Sequence, residues 1–308
     1  MATNGAAIID RIDPDKLRWV DVDGVPTRYY EDGSGDPLVL VHGGDIGFAD
    51  ALDTWSLNLA KLSRDFHVFA LDKFGQGHTG IPSRDEDYTY DAVLRHFLGW
   101  LKAAGVPANA HLVGHSRGGL VVASALLQRP GCGRSAVIID SATLAPDPAD
   151  PRLHSMHFYA EVDRRTPNGV NSREDLMVEA ELNSHSTAHV TEAYLDRYLE
   201  IARLPGQQEA LKRMRGGVSK AVFQPSIERA RAEVLGRIDD SGMPVRTLVV
   251  WGRNDPSAPL AEVGLPLYQR LAARTEDTEM HVFNNAGHYT FREQPAGFNR
   301  LVRDWCAA

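Results

Sequence analysis

The chain has 308 residues, of which 43% are hydrophobic and 24% are charged, an ordinary globular composition that excludes disordered and fibrous classes. Its 33 basic and 41 acidic residues give a net charge of −8, which argues against nucleic-acid binding. No apolar run approaches the roughly 20 residues of a membrane span, the N-terminus lacks a secretory signal pattern, and two cysteines make no disulfide framework. We therefore expect a cytoplasmic protein with no membrane partner.

Short apolar runs alternate with helical patterns along most of the chain. The runs are too short for helices, and several are rich in β-branched residues, as buried strands are. The predicted strands cover residues 17–22, 27–31, 37–41, 67–71, 110–113, 135–139, 246–251 and 280–283. Helices are predicted around 93–101, over 118–128 and around 298–305, where apolar residues recur at helical spacing. The alternation indicates an α/β fold with a mostly parallel sheet flanked by helices.

The alternation stops between residues 145 and 240. This segment begins with several prolines and continues with polar helical patterns, and it contains no buried-strand pattern. We therefore predict residues 1–144 as the first part of an α/β core, and 145–240 as a helical cap inserted after the sixth strand. Residues 241–308 then form the second part of the core.

The clearest chemical motif is Gly114-His115-Ser116-Arg117-Gly118, which matches the G-x-S-x-G pattern of a nucleophile elbow. A predicted strand precedes the motif and a predicted helix follows it, which is the context that the motif requires. Glycines flank the serine because larger side chains would collide across the sharp turn. Ser116 is therefore the predicted nucleophile.

A serine hydroxyl needs a base to remove its proton, and the base needs a carboxylate that holds its tautomer. His288 is the predicted base because it lies on a loop between the last predicted strand and the last helix. Asp255 is the predicted carboxylate, since it follows the penultimate strand and completes the chain order serine, acid, histidine. Asp140, at the end of an earlier strand, is the competing acid.

Two backbone N–H groups are expected to stabilise the oxyanion of the reaction. The segment His42-Gly43-Gly44 follows the third predicted strand and resembles the start of an HGGG-type loop. Gly44 and Arg117 are therefore the predicted donors.

Signals for metals and cofactors are weak. No glycine-rich nucleotide-binding motif is present. The histidine pairs His185/His189 and His154/His157 have helical spacings, but neither has an obvious third ligand nearby. We therefore expect no cofactor and no metal.

Together these residues resemble the α/β-hydrolase superfamily along nearly the whole chain. Within it, the chain is most similar to the meta-cleavage product hydrolases, which cleave carbon–carbon bonds after ring-opening dioxygenases. The resemblance is carried by His42-Gly43-Gly44 and by segments 72–77, 251–255 and 281–305. The chain departs from the family pattern on both sides of the nucleophile, where asparagine and methionine are usual, and after the catalytic histidine, where tryptophan is common.

The resemblance implies a cofactor-independent hydrolase that cleaves a carbon–carbon bond of a 2-hydroxy-6-oxo-dienoate. Its substrate-binding residues would be Gly43, His115, Arg197 and Tyr289. Arg197 falls in cap segment 191–202, which resembles the family helix that carries a substrate-carboxylate arginine.

Two other functions remain open. A carboxylesterase or lactonase with the same triad fits the motifs equally well, whereas the intact triad argues against a non-catalytic receptor on this fold. The expected partner is a small-molecule substrate with a carboxylate, and the sequence leaves a homo-oligomer open.

Overall fold

The computed structural model describes residues 10–153, 155–167 and 172–308. Residues 1–9 of the predicted core lie outside the described residues, and so does His154 of the pair His154/His157. One sheet contains eight strands in the order β1-β2-β4-β3-β5-β6-β7-β8. Strand β2 runs antiparallel to both of its neighbours, and the other pairs are parallel. The predicted α/β class with a mostly parallel sheet is confirmed.

The observed strands lie where the apolar runs predict them, with ends that shift by one or two residues. They are β1 (Leu17–Val22), β2 (Val25–Asp32), β3 (Asp36–Val41), β4 (Phe66–Leu71), β5 (His111–His115), β6 (Ser135–Ile139), β7 (Arg246–Gly252) and β8 (Thr278–Phe283). Strands β5 and β6 are buried at every residue, because helices cover both faces of a central parallel strand.

Helices flank the sheet and fill the segment between β6 and β7. They are α1 (Leu59–Leu62), α2 (Tyr90–Ala103), α3 (Arg117–Gln128), α4 (Ser155–Arg165), α5 (Arg173–Asn183), α6 (Glu192–Ala202), α7 (Pro205–Arg213), α8 (Gln224–Ser241), α9 (Leu265–Ala272), α10 (Thr290–Glu293) and α11 (Pro295–Ala307). Within the described ranges, no helix combines the length and apolar character needed to cross a lipid bilayer.

Two apolar layers hold the helices on the sheet. Side chains of one strand alternate between its faces, so Val39 and Val41 pack with α2, α3, α8 and α9, whereas Leu38 and Leu40 pack with α1, α10 and α11. The carboxyl ends of the parallel strands therefore remain uncovered by these two layers. They form the edge on which the predicted site residues lie.

Between β6 and β7, the described residues form helices joined by loops and contain no strand. Helices α5 and α6 share their own apolar cluster, which includes Leu176, Tyr194 and Leu199. Met214–Phe223 is a wide π-type segment, interrupted at Gly217, that joins α7 to α8. Helix α8 packs against α2, α3 and α9, so the last part of segment 145–240 lies with the core helices rather than over the site.

A chain of alternating charges connects the sheet with the cap. We call it the charge chain, and its members in order are Asp72, Arg28, Asp53, Arg197, Asp10 and Arg292. Arg28 begins it, with Nε 2.6 Å from Asp72 Oδ2 and Nη2 2.6 Å from Asp53 Oδ2. All three of these side chains are buried, so each charge depends on its partners for stabilisation.

Replacing Arg28 with methionine should lower the free energy of unfolding by about 3–5 kcal/mol, because two buried carboxylates lose their shared cation. Arg28→Lys keeps the charge without the planar fork and should lose less. Urea denaturation followed by circular dichroism measures both values. Equally small losses in the two variants would show that the carboxylates do not depend on Arg28.

Candidate active site

Ser116 occupies the sharp turn between β5 and α3. Its φ of 51° and ψ of −120° are unfavourable for a residue other than glycine. Two hydrogen bonds hold the turn: the Ser116 N–H donates to Ile139 O at 2.8 Å, and Ser141 Oγ donates to Ser116 O at 2.6 Å. This strained turn is the local structure of a nucleophile elbow.

Two glycines allow the turn to close. A Cβ on Gly114 would lie 2.3 Å from Gly118 O, and a Cβ on Gly118 would lie 2.3 Å from Val41 O. Both opposing atoms belong to the backbone, so no side-chain movement would relieve the overlap. The close approach therefore places the N-terminus of α3 against the end of β3.

His288 and Asp255 come from neighbouring loops at the same edge of the sheet. His288 lies between β8 and α10, and its Nδ1 donates to Asp255 Oδ2 at 2.7 Å, which leaves Nε2 as the basic nitrogen. Asp255 Oδ1 accepts three hydrogen bonds of 2.9 Å, from Ser257 N, Ser257 Oγ and Ala258 N. These bonds fix the orientation of the carboxylate. Ser116 and His288 line one cavity.

The surroundings of His288 set its protonation. Burial alone would lower the pKa of His288, but the charge and hydrogen bond of Asp255 oppose it, and the pKa lies above its ordinary value of 6.5. His115 Nε2 donates to His288 O at 2.9 Å. Burial holds the pKa of His115 well below its usual range, so this second imidazole stays neutral beside the first.

Asp140 has a different environment from Asp255. Its Oδ1 accepts a hydrogen bond of 2.7 Å from Gly252 N. Burial and the neighbouring charge of Asp255 raise the pKa of Asp140 well above its usual range. Of the two candidate acids, Asp255 is the one hydrogen-bonded to the imidazole.

The loop after β3 passes directly beside the nucleophile. A Cβ on Gly43 would lie 3.0 Å from Ser116 Cβ. The Gly43 carbonyl accepts hydrogen bonds from His42 Nδ1 at 2.8 Å and Gln76 Nε2 at 3.3 Å. Because C=O and N–H point in opposite directions across a trans peptide, these bonds turn the Gly44 N–H away from His42 and Gln76. Gly44 lines the cavity of Ser116.

Arg117 contributes to this cavity in two ways. It is the first residue of α3, where a backbone N–H has no partner within the helix. Its guanidinium donates to Asp45 Oδ2 at 2.9 Å and to Thr143 Oγ1 at 3.0 Å. Among the described residues that line the cavity, Arg117 is the one arginine or lysine, and its charge is already paired.

The cavity has a volume of about 150 Å³, and its remaining charged lining is acidic. Asp50 follows β3, and Glu179 lies on α5 of the cap. Tyr289 joins this wall, with its hydroxyl donating to Glu179 Oε1 at 2.8 Å. The sequence analysis missed Asp50 and Glu179 because neither belongs to a motif or follows a strand end directly.

Arg197 does not line the cavity in the described structure. It forms an ion pair with Asp10, and its Nε lies 3.1 Å from Asp53 Oδ1. The expectation that Arg197 holds a substrate carboxylate is therefore not met. Helix α6 turns this residue toward the segment before β1, where two carboxylates already neutralise the guanidinium.

The histidine pair His185/His189 forms local contacts through the side chain of His189 and the backbone of His185. His189 Nε2 lies 2.8 Å from Ser184 Oγ, and the His185 N–H donates to Glu293 Oε2 at 2.9 Å. Among the described residues, no three or more histidine, cysteine, aspartate or glutamate side chains group as metal ligands would.

Comparison with known proteins finds similarity to hydrolases. Residues 38–301 match the model of the Alpha/beta hydrolase family. The 2-hydroxy-6-oxo-2,4-heptadienoate hydrolase of Pseudomonas putida is 30% identical over 293 residues, covering 94% of this chain and 96% of the relative. The 2-hydroxy-6-oxo-6-(2'-aminophenyl)hexa-2,4-dienoic acid hydrolase of Metapseudomonas resinovorans is 26% identical over 283 residues, covering 91% and 87%.

A solved structure shows the same likeness. The meta-cleavage product hydrolase from Pseudomonas fluorescens IP01 matches with a TM-score of 0.72 at 26% identity, covering 94% of this chain and 97% of that one. The match spans the core and the cap segment together.

Asp255→Asn should lower kcat by about 10⁴-fold, because an amide favours the wrong tautomer of His288. The acid limb of the kcat/KM profile should also move to lower pH. Wild-type activity should be lost as pH falls through the raised pKa of His288, and removal of the Asp255 carboxylate removes the largest of the effects that raise this pKa. Steady-state kinetics across pH measures both effects.

The matched control for this prediction is Asp140→Asn. Asp140 Oδ1 accepts from Gly252 N, whereas His288 is bonded to Asp255, so the amide at position 140 should change kcat little. A larger loss in Asp140→Asn than in Asp255→Asn, with both variants folded, would contradict the choice of acid.

Arg197→Ala should lower the free energy of unfolding by about 3 kcal/mol, because Asp10 and Asp53 lose a shared cation. The ratio of KM for a dienoate to KM for a neutral ester should stay unchanged. Thermal unfolding and steady-state kinetics test the two statements, with exposed Arg203 at the end of the same helix replaced as the control. A selective rise in KM for the dienoate would return Arg197 to the substrate site.

Proposed function

The chain belongs to the α/β-hydrolase family, and on that premise we propose that it is a serine-dependent hydrolase with Ser116, His288 and Asp255 as its catalytic triad. The observation that carries the proposal is the 2.7 Å hydrogen bond from His288 to Asp255, beside a cavity that His288 shares with the strained Ser116. The hydrolase activity of the similar proteins supports the same assignment.

In the proposed reaction, Ser116 Oγ attacks a substrate carbonyl while His288 Nε2 takes the hydroxyl proton. The oxyanion that forms accepts hydrogen bonds from the N–H groups of Gly44 and Arg117, each worth roughly 3–4 kcal/mol in such sites. His288 then gives its proton to the leaving group. Water, activated by His288, hydrolyses the acyl-serine and restores the enzyme.

The bond cleaved in the leading proposal is a carbon–carbon bond of a ring-fission product. The similar proteins act on 2-hydroxy-6-oxo-dienoates by name, and the resemblance of the chain extends across core and cap. In such a substrate the dienol first becomes a ketone, so that the departing carbon is a stabilised carbanion. Ser116 then attacks the C6 carbonyl, and His115 and Tyr289 line the substrate site.

A carboxylesterase or lactonase is the second candidate, and one observation favours it. A dienoate carries a carboxylate, and a buried carboxylate needs a cation or several donors. The only described arginine or lysine in the cavity lining is Arg117, which is paired with Asp45. A neutral ester or lactone makes no such demand.

Ser116→Ala should reduce kcat by at least about 10³-fold, because the nucleophile is lost while oxyanion donors and binding remain. The assay follows the loss of yellow dienolate absorbance with ring-fission substrates, beside release of p-nitrophenol from p-nitrophenyl esters. The faster wild-type reaction decides between the two candidate functions.

Ser124→Ala is the control for that variant. Ser124 is a buried serine on α3 whose hydroxyl contacts Tyr90, so its loss tests general damage to the helix. If Ser116→Ala kept a kcat close to that of Ser124→Ala, the triad assignment would fail.

A further inference from the structure

Two carboxylates on the cavity wall have no part in the triad. Both line the cavity of Ser116: Asp50 lies in the loop after β3, and Glu179 lies on helix α5 of the cap. We call Asp50, Glu179 and Tyr289 together the acidic wall. Burial and the charge of Glu179 raise the pKa of Asp50 to about 7, and burial raises the pKa of Glu179 as well. In both groups, therefore, the surroundings disfavour the ionised carboxylate.

No cation of the described protein pairs with either of these carboxylates. The other acids of the cavity have partners, since Asp45 pairs with Arg117 and Asp163 pairs with Arg215. Lys73 is the basic group that acts on Asp50, but its Nζ donates to Gly44 O at 2.9 Å. Among the described residues, the acidic wall thus holds two carboxylates that form no direct ion pair.

A small recess of about 20 Å³ continues the acidic wall. Its lining includes Asp50, Glu179, His189, Tyr194, Tyr198 and Arg292. Arg292 is already engaged, because it pairs with Asp10 and its guanidinium carbon lies 3.9 Å from the centre of the Tyr194 ring. His189 is 5% exposed, and its Nδ1 has no hydrogen-bond partner. In the cavity beside Ser116, the carboxylates of Asp50 and Glu179 would stabilise a donor-rich nitrogen, whereas an anion there would face two like charges.

We propose that the acidic wall selects substrates that carry an amine or ammonium group on the part of the molecule that reaches the cap. This inference rests on the proposed function, because it concerns the molecule that enters the cavity beside Ser116. An amino group on the substituent of the scissile carbonyl meets the requirement in a ring-fission product and in an ester alike.

Three p-nitrophenyl esters with acyl groups of similar size test the inference on the wild-type protein. The β-alanyl ester carries an ammonium, the butanoyl ester is neutral, and the succinyl ester carries a carboxylate. After division by the rate of each ester with hydroxide, kcat/KM should fall in that order. Each step should be at least about tenfold, which corresponds to 1.4 kcal/mol. Equal values, or a preference for the succinyl ester, would overturn the inference without any substitution.

Glu179→Gln and Asp50→Asn test whether the preference for the β-alanyl ester depends on these two carboxylates. Each variant should lower the ratio of β-alanyl to butanoyl turnover and raise turnover of the succinyl ester. Glu181→Gln is the matched control, since Glu181 lies on the same helix and pairs with Arg165 at the surface. Circular dichroism checks that each variant is folded, and an unchanged ratio in folded Glu179→Gln and Asp50→Asn would refute the role of the wall.

Ser116→Ala separates this inference from the function on which it rests. If that variant loses turnover of all three esters while the wild type shows no amine preference, the triad stands and the acidic wall is refuted alone. If Ser116→Ala keeps wild-type turnover, the proposed function itself fails.

Discussion

The close approach of α3 to the ends of β3 and β5 constrains everything around Ser116. Backbone contacts at Gly114 and Gly118 leave no room for a Cβ, so the helix begins directly over the sheet edge. The loop with Gly43 crosses at the same place. Because parallel strands end at a common edge, the loops after β7 and β8 bring Asp255 and His288 to that point as well. The site therefore follows from the sheet and from one tight turn.

Burial acts against the charged form of both imidazoles at this edge, but the partner of each one decides the direction of its pKa shift. His288 and His115 are both buried imidazoles, yet the pKa of His288 rises and that of His115 falls. The difference is the carboxylate of Asp255, which only His288 contacts through a side-chain hydrogen bond. Burial and the nearby charge of Asp255 raise the pKa of Asp140. Two buried imidazoles at one edge therefore differ because only one of them has a carboxylate partner.

The parts of the fold and site that the sequence predicts depend on local signals. Apolar runs mark the strands, and the residue after a buried strand lies at the functional edge, which is how Asp255 and Ser116 could be found. Arg197 shows the limit of this reasoning. A helical stripe indicates which face of α6 is apolar, but the partners of its arginine, Asp10 and Asp53, come from distant segments that no pattern connects.

The same limit applies to the shape and charge of the cavity. Asp50 and Glu179 line the same cavity only because helix α5 folds over the loop after β3, so their proximity is a property of the tertiary structure. Helix α8 has the same polar helical pattern as α5 and α6. Periodicity therefore does not show that α8 packs against α3 of the core. The sequence predicts the candidate nucleophile, base and acid, whereas the other residues that line the cavity can be identified only from the tertiary structure.

The charge chain has a consequence for how the protein responds to ionic strength. Mobile ions weaken the attraction between exposed charges, because the screening length in physiological salt is about 8 Å. The surface pair of Arg229 with Asp91 is an example of such exposed charges. The charge chain lies mostly out of reach of those ions, with Asp72, Asp10 and Arg292 almost fully buried. Added salt therefore loosens contacts at the surface while the link between sheet and cap keeps its strength.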